Sequence, residues 1–487
     1  MHRNILTTIF IISATLSHGV NAQVDLRKSV LTNPDAIEEY RDVVAAMKAL
    51  PLSDPRSWTY QSGVHMHFDA SSMPTGNLYE NHSLTPPQHA LTNSTWDQCH
   101  QSDPDKLFLL WHRVYVYYFE QIARKVSGNA SFSLPYWDYG TELNSRRIPV
   151  EFRSPKYKDP KTKKDIENPL YEQRRSSVNN GSALDLVTVL PLGLDESDFH
   201  EFGLKLEGSP HNGVHGALGD SNGLVMGIPN FAAQDPIFWL HHSNIDRLYA
   251  CWETKNTVPK LVDDGNSYKF INGDGEVVSH SVTEMQQLVN TMKYKYESLA
   301  DCEKLLPDSA SIPKSSTKSF SLLEGSAIDS SVITLGSYKT ETHLKSEPIS
   351  VKVEMNDDSQ SMLNKSFSLE NIQSSKTAAI EIKGFSLKNA PGVSYAVYLK
   401  SADANNATMI PIGVMSFFQH LPSSSRHNHT KEKNYYFEVK FLPLELQQAG
   451  VEVVFIPTTG VEGDNLISSE AIQRADPKFK EINFILR

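Results

Sequence analysis

The sequence predicts a mainly helical domain followed by a smaller all-β sandwich domain. From about residue 24 to residue 302, apolar residues recur at helical spacing between long irregular connections. Beyond about residue 324 the pattern changes to short alternating runs separated by turn residues, as in a sandwich. The length of 487 residues allows two or three domains at about 150 residues each.

Four segments carry the helical prediction. Residues 35–50 form an amphipathic pattern, and residues 107–126 repeat apolar residues every three or four positions. Residues 231–252 predict a second strong, buried helix, and residues 284–300 predict a third. Residues 139–175 are charged and contain prolines, so we expect a loop that wraps the surface.

The β prediction rests on runs in which apolar and polar residues alternate. Turn residues separate these runs, so a sandwich of about 140–170 residues is expected. The predicted strands are residues 349–355, 378–382, 393–399, 435–441 and 451–456.

The domain boundaries follow from changes in composition. Residues 1–22 combine a basic start, a short apolar run and a small-residue end, which predicts a cleaved signal peptide and a secreted or periplasmic protein. Residues 23–303 are the helical domain. Residues 304–324 are rich in Ser, Lys and Pro and predict a linker, and residues 325–487 are the β domain.

Composition also excludes some classes of partner. The formal net charge is −11 and there is no long basic run, which argues against nucleic acid. Outside the N-terminus, no stretch is long and apolar enough to span a membrane.

Histidines at close spacing predict metal binding. His211 and His215 are four residues apart, which would place both imidazoles on one helical face. His241 and His242 follow on an apolar helix and point in different directions, so we expect one of them to be a ligand. Imidazole-only ligation suits copper, zinc, iron or nickel. A second set upstream (His65, His100 and His112) suggests a second metal.

These segments resemble the type-3 dicopper family of tyrosinases, catechol oxidases and molluscan-type haemocyanins. PHNGVH followed by DPIFWLHHSNIDRLYACW is similar to the second copper motif of that family. SWTYQSGVH, FLLWHR and LPYW resemble the first copper motif and the segment between the two motifs. The resemblance implies a four-helix-bundle dicopper core with long loops.

Carried over by position, the resemblance implies two copper ions with three histidines each. Those of the second copper would be His211, His215 and His242, the second histidine of the pair. Those of the first copper would be His65, His100 and His112. His100 lies farther upstream than the family's usual middle ligand, whose position is Asp103 here. The rivals to His65 are His67 and, more weakly, His82 and His89.

The three cysteines raise two questions. Cys251 and Cys302 could form a disulfide. Many family members link a cysteine to the middle histidine through a thioether, but Cys99 is directly adjacent to His100. A thiol or another pairing for Cys99 is an equal alternative.

The resemblance implies oxidation of phenols by O2. An o-diphenol would be oxidised to the o-quinone, and a monophenol would first be hydroxylated at the ortho position. Glu207 and Asn212 match the family's glutamate and asparagine that hold a water as base, and a surface carboxylate at a helix start is the alternative for Glu207. Phe231 or Met226 would replace the family's phenylalanine over the first copper, since its position is Pro229 here.

The rest of the chain resembles plant-type polyphenol oxidases. Tyr294-Lys-Tyr296 is similar to their Tyr-x-Tyr element, and Asp246 and Arg247 match a pair that holds the fold. Their C-terminal domain keeps the enzyme latent until a protease cleaves the linker, whereas a permanent structural module is the alternative. Reversible O2 carriage, as in haemocyanin, and o-aminophenol oxidation are the alternative functions.

Overall fold

The protein is described here by a computed structural model. It describes residues 25–67, 84–99, 107–140, 142–175, 177–189, 194–219, 225–299, 332–356, 358–359, 378–401, 409–418, 432–439, 451–464 and 466–486. The predicted signal peptide, the predicted linker, His82, His100 and Cys302 lie outside these residues.

A helical part precedes a β-rich part, which confirms the predicted fold class. The helices are α1 (Pro34–Lys48), α2 (Trp58–His65), α3 (Pro86–Thr95), α4 (Phe108–Ser127), α5 (Leu186–Val189), α6 (Phe199–Leu206), α7 (Gly213–Leu218), α8 (Pro229–Ala232), α9 (Ile237–Glu253), α10 (Val282–Val289) and α11 (Ser469–Ala475). Four strands in two hairpins lie within the helical part: β2 (Lys156–Lys158), β3 (Asp165–Glu167), β4 (Tyr268–Ile271) and β5 (Val277–His280). Among the described residues, no helix is long and apolar enough to cross a bilayer.

Helix α4 forms where the apolar spacing predicts it. Its repeating residues, from Leu110 and Val114 to Ile122, are at most 7% exposed. The helix ends at Gly128, whose φ of +73° is a left-handed conformation that glycine adopts without steric cost. Helices α1 and α9 pack against α4, so α4 is the centre of the helical part.

The helix predicted at residues 231–252 is interrupted, and this prediction was wrong in its first turns. Helix α8 ends at Ala232 and α9 begins at Ile237. Asp235 accepts a hydrogen bond from the Ile237 amide at 3.0 Å, and Pro236 disfavours a helical conformation at the residue before it. Asp235 also forms a fully buried ion pair with Arg175, so the far end of the predicted surface loop at 139–175 is anchored in the core.

The helix predicted at residues 284–300 is also shorter than expected. Helix α10 ends at Val289, and residues Tyr294–Tyr296 form β6, which pairs in parallel with β1 (Asp25–Arg27). The tyrosine hydroxyls of this strand donate to Asp246, at 2.5 Å from Tyr294 and 2.6 Å from Tyr296. These tertiary bonds override the helical pattern.

Asp246 holds the base of the helical part together. It lies within the α9 helix and accepts from the guanidiniums of Arg27, at 2.9 Å, and Arg113. All three residues are buried, and their charges are paired, as buried charges must be. Arg247 pairs instead with Asp138 at 2.8 Å.

Within the described residues, the β part contains one sheet of eight strands. The order is β12-β11-β14-β9-β7-β16-β10-β13, and the two end strands also contact each other, so that the sheet folds around its own core. Its strands are β7 (Ile333–Tyr338), β9 (Ile349–Met355), β10 (Ala378–Phe385), β11 (Ser394–Ser401), β12 (Ile410–Met415), β13 (Lys433–Val439), β14 (Val451–Thr458) and β16 (Glu481–Leu486), while β8 (Thr342–His343) pairs with β15 (Lys478–Phe479). All five predicted strands are present: the strand predicted at 349–355 has the bounds of β9, and the other four have at least one shifted end.

Residues 458–464, which begin at the last residue of β14, join the β part to the helical part. We call their contact with residues 183–188 the interdomain clasp. Two backbone hydrogen bonds of 2.8 Å form this contact. The Asp185 amide donates to the Gly460 carbonyl, and the Glu462 amide donates to the Ala183 carbonyl. The hydroxyl of Thr458 adds a bond to the Asp185 carboxylate at 3.0 Å. The clasp therefore fixes one end of the β part beside the histidine-bearing helices.

Candidate metal centre

Two groups of buried side chains could each hold a metal ion. One consists of His211, His215, His241 and His242, and the other of His65, Cys99 and His112. Within each group the potential ligand atoms all lie within 4.8 Å of one another. We call these groups the second and the first cluster, after the order of the predicted copper ions.

The second cluster is built on an irregular segment. His211 lies in a π-helical turn (Glu207–Asn212) in which Ser209 is extended, with φ −152° and ψ 129°, and His215 lies in α7. The extended Ser209 precedes both histidines, so His211 and His215 lie on consecutive helical turns, as their four-residue spacing predicts. Their imidazoles converge, with ring centroids 4.6 Å apart.

A shared hydrogen-bond pattern orients four of the imidazoles. The Nδ1 atom of His65 bonds to the Pro229 carbonyl at 3.1 Å, and that of His112 bonds to Phe108 at 2.8 Å. In a neutral imidazole, a proton on Nδ1 leaves the lone pair on Nε2 for a metal, and such a bond fixes the ring.

The second cluster repeats this pattern. The Nδ1 atom of His215 bonds to the Met226 carbonyl at 2.9 Å, and that of His211 bonds to the Asn212 side-chain oxygen at 2.9 Å. Its remaining members, His241 and His242, are fully buried on α9. The Nε2 atom of His242 lies 3.4 Å from that of His215.

Burial keeps these imidazoles neutral. It lowers the pKa of His65 to about 4. It also lowers the pKa of His211, His215, His241 and His242 well below the ordinary value, and the neighbouring histidines lower it further. Neutral imidazole is the form that binds a metal.

The two clusters are adjacent. The rings of His112 and His242 stack with centroids 4.5 Å apart, and those of His112 and His211 are 5.9 Å apart. Among the described residues, the buried Nε2 atoms of His211 and His241 have no hydrogen-bond partner. Neutral imidazoles with lone pairs directed at one another fit transition-metal ions such as copper.

The first cluster contains a thiol beside its two imidazoles. The Cys99 sulfur lies 3.5 Å from Nε2 of His112. His100, the predicted middle ligand, lies outside the described residues. Cys251 is disulfide-bonded and Cys99 is not, which agrees with the predicted bridge from Cys251.

Two of the rivals to His65 lie among the described residues, and neither belongs to the cluster. The His67 ring forms an ion pair with Asp97 at 2.6 Å, which turns it away. His89 lies on α3 and is not a member of either described cluster.

Glu207 and Asn212, the predicted water-holding pair, lie at the two ends of the irregular turn that carries His211. Both are buried, at 4% and 8% exposed. Asn212 orients His211, as described above. Lys433 of β13 faces Glu207: burial lowers the pKa of Lys433, and the Glu207 carboxylate counteracts this. Their catalytic roles remain predictions.

An aromatic ring from the β part covers the second cluster. Phe418 stacks on His215 with centroids 3.9 Å apart and 15° between the planes, and its edge contacts His211 at 5.8 Å. Nearby, the Ser416 hydroxyl donates to the Asn212 carbonyl at 2.7 Å. Phe231 and Met226, expected near the entrance, are buried. Sequence reasoning missed Phe418, whose only signal is an apolar Phe417-Phe418 pair after a strand.

Comparison with known proteins gives consistent matches. Residues 55–190 and 177–255 match the family described as the common central domain of tyrosinase. The tyrosinase HcTyr1 of Hahella sp. (strain CCB-MM4) is 31% identical over 313 residues, which cover 57% of this chain and 64% of that protein. The A-type hemocyanin of Enteroctopus dofleini, units Ode to Odg, is 32% identical over 161 residues, 29% of this chain and 13% of that protein.

A solved structure of latent aurone synthase, a polyphenol oxidase, has the same overall fold. The TM-score is 0.57 at 19% identity, over 96% of this chain and 89% of that one. The likeness therefore extends over the helical and the β parts. The chain spans less than two thirds of the length of the two sequence relatives described above.

Proposed function

Since the chain belongs to the tyrosinase family through its central domain, we propose that it oxidises phenols with O2 at a pair of copper ions. The observation that carries this proposal is the adjacency of two buried clusters of neutral imidazoles, with the His112 and His242 rings 4.5 Å apart. Such an arrangement suits two metals that act together.

We assign three histidines to each metal. His65, His100 and His112 would hold the first copper, and His211, His215 and His242 would hold the second. When bound, the copper pair would supply the electron transfer by which two o-diphenols each lose two electrons and two protons and leave as o-quinones, while one O2 is reduced to two molecules of water. The ring-orienting bonds on Nδ1 support these assignments for four of the six histidines.

The protein would bind the phenol and accept its proton. Phe108, whose ring lies 4.7 Å from that of His211 and 4.9 Å from that of His112, provides an apolar wall for an aromatic substrate. Glu207 is a buried carboxylate beside this wall, and with Asn212 it would hold the water that accepts the proton of a monophenol. Hydroxylation of monophenols would depend on this pair.

The β part would keep the enzyme latent. Phe418 occupies the face of His215 that a phenol ring would need, and the interdomain clasp holds it there. Cleavage in the predicted linker at 304–324 by a processing protease would release this cover. The predicted signal peptide would place the protein outside the cytoplasm, where such processing could follow export.

The decisive experiment measures copper and turnover in the purified full chain. We expect two copper ions per chain, and O2 uptake with an o-diphenol that rises after limited proteolysis. A monophenol and an o-aminophenol are tested in parallel, since the site chemistry is shared. Binding of one metal or none would contradict the proposal.

Reversible O2 carriage is the second candidate, because the central domain also resembles an octopus hemocyanin at 32% identity. The measurement of copper content and phenol turnover described above also distinguishes phenol oxidation from O2 carriage. Two copper ions with reversible O2 binding, but no quinone from any of the phenols before or after proteolysis, would favour the carrier.

A further inference from the structure

We infer that a crevice between α4 and α6 is the route by which Glu207 returns its proton to solvent, with His200 at the outer end of that route. This inference rests on the proposed function, in which Glu207 accepts the proton of a monophenol, and adds to it a second route that the phenol does not use. The residues that line the crevice include Phe108, Leu109, His200, Gly203, Leu204 and Glu207.

The crevice has room for water and little else. Its volume is about 10 Å³, and a cavity of about 10–15 Å³ holds a single water molecule. It runs from Glu207, which is 4% exposed, to the surface at Leu204, which is 43% exposed. All of its lining residues belong to the helical part, so its walls do not include the β part that covers the second cluster.

The sequence of α6 places four lining residues on one helical face. His200, Gly203, Leu204 and Glu207 are spaced three, four and seven positions from the first of them. Glu207 follows the last residue of α6 and keeps a helical conformation, with φ −66° and ψ −44°. His200 and Glu207 are therefore two turns apart, about 10 Å along the axis, a span that water in the crevice would bridge.

Phe108 borders both the crevice and the histidine clusters. Its ring lies 4.7 Å from that of His211 and 4.9 Å from that of His112, and the same residue lines the crevice. A phenol stacked against this wall would fill the histidine side and leave the crevice to water. Glu207 could then release its proton while the phenol still occupies the site.

The step is a proton transfer that involves no electron. The O–H bond of the monophenol breaks, its proton passes to the water held by Glu207, and the phenolate remains in the site. Water in the crevice carries the proton to the His200 imidazole, which becomes imidazolium and then releases the proton to bulk solvent. Histidine suits this task because its imidazole takes up and releases protons near neutral pH.

Two lysines near α6 are not among the residues that line the crevice. Lys205 donates to Glu196 and to Glu438 of β13, the latter at 2.6 Å. Lys433 of β13 faces Glu207, and the attraction between their charges favours the ionised carboxylate. This attraction would help Glu207 to give up its proton before the next phenol binds.

The test compares full chains that carry E207Q, G203A or H200A, and it measures monophenol turnover divided by o-diphenol turnover. A Cβ atom on Gly203 would lie 3.8 Å from Leu109 Cδ1, an ordinary contact, so the methyl group fills the crevice without a clash. We expect this ratio to fall by about 100-fold or more in E207Q, which loses the proton acceptor, and by about tenfold in G203A and H200A, which lose only its route to solvent.

Stability and chemical rescue distinguish a blocked route from a damaged fold. G203A replaces a helical glycine, so its equilibrium constant of unfolding should be about two- to fivefold lower than that of wild type. Imidazole added to H200A should restore the ratio, because it supplies the missing proton carrier. E201A is the matched control: Glu201 also lies on α6 but is not among the lining residues, and this variant should keep the wild-type ratio.

A crystal structure gives a result that does not depend on turnover. We expect a water between Glu207 and His200 in the wild-type chain and none there in G203A. Absence of that water from wild type, or a wild-type turnover ratio in G203A, would overturn the route, and a wild-type ratio in H200A would remove His200 from it. If E207Q itself kept the wild-type ratio, the role of Glu207 in the proposed function would fail, and the route with it.

Discussion

The ring of Phe418 lies flat on the imidazole of His215, with centroids 3.9 Å apart and 15° between their planes. Phe418 lies three residues after the end of β12, at Met415, whereas His215 lies in the short helix α7. Access to the second cluster is therefore coupled to the position of the β part.

Replacing Phe418 by alanine is expected to raise the diphenol oxidase activity of the uncleaved chain. An aromatic pair contributes about 0.5–1.5 kcal/mol beyond its buried area, which corresponds to a two- to tenfold rise in activity if the β part limits access. O2 uptake is compared for wild type and F418A before and after limited proteolysis. The difference should vanish once the β part is removed. Equal activities of the intact chains would show that this ring is no barrier.

Gly460 provides a separate test of the interdomain clasp. Its φ is +76°, and a Cβ atom there would lie 2.7 Å from the Ala217 Cβ and 3.1 Å from the Thr188 hydroxyl. We expect G460A to weaken the clasp by about 1–3 kcal/mol, because the atoms overlap. Activity and the rate of proteolytic cleavage should both rise by about five- to 150-fold.

The control for G460A is G463A. Gly463 has a similar φ of +71°, but nothing lies within 4 Å of the added Cβ. Both variants place alanine at a similar positive φ, so the contacts with Ala217 and Thr188 distinguish them. If G463A raised activity as much as G460A, backbone strain rather than the clasp contact would be responsible.

The sequence predicted the elements of this site better than its contacts. The spacing of His211 and His215 predicted their proximity correctly, because the extended Ser209 precedes both residues and the backbone between them is helical. The cover by Phe418 could not be predicted, since it depends on how two separately patterned domains pack. The adjacency of Cys99 to His112 was missed for a similar reason: Cys99 precedes a segment whose path the local pattern does not determine.

Asp246 predicts a specific acid dependence of stability. Burial alone would raise the pKa of Asp246, but Arg113, Arg27 and the two tyrosine hydroxyls outweigh burial and hold that pKa below its usual value. Above the unfolded-state pKa of about 3.9 this stabilisation is complete. As the pH falls from about 3.9 towards the lower folded-state pKa, this stabilisation is lost, because the unfolded chain binds the proton at a higher pH than the folded chain does.

The D246N variant isolates that contribution. Removing the charge leaves two buried guanidiniums without their partner, which should lower the free energy of unfolding by about 3–5 kcal/mol at neutral pH. The difference from wild type should be constant above about pH 5 and shrink below about pH 4, by at most about 1.4 kcal/mol per pH unit. Denaturant titrations at each pH measure it. A difference that did not shrink in acid would mean that the Asp246 carboxylate is not the titrating group.

Copper should stabilise the folded chain in proportion to the sites it fills. A ligand that binds only the folded state adds about 2.7 kcal/mol per site when its free concentration is 100 times its dissociation constant. We expect thermal unfolding of the copper-loaded wild type to shift upward relative to the chelator-treated chain. In H215Q the shift should be about half as large and one copper should be lost, since His215 lies at the centre of the second cluster. The control H280Q, in which the replaced His280 lies outside both clusters, should retain both copper ions and the full upward shift in thermal unfolding. If H280Q lost as much copper and as much of the shift as H215Q, the histidine clusters would not be the sites at which copper stabilises the fold.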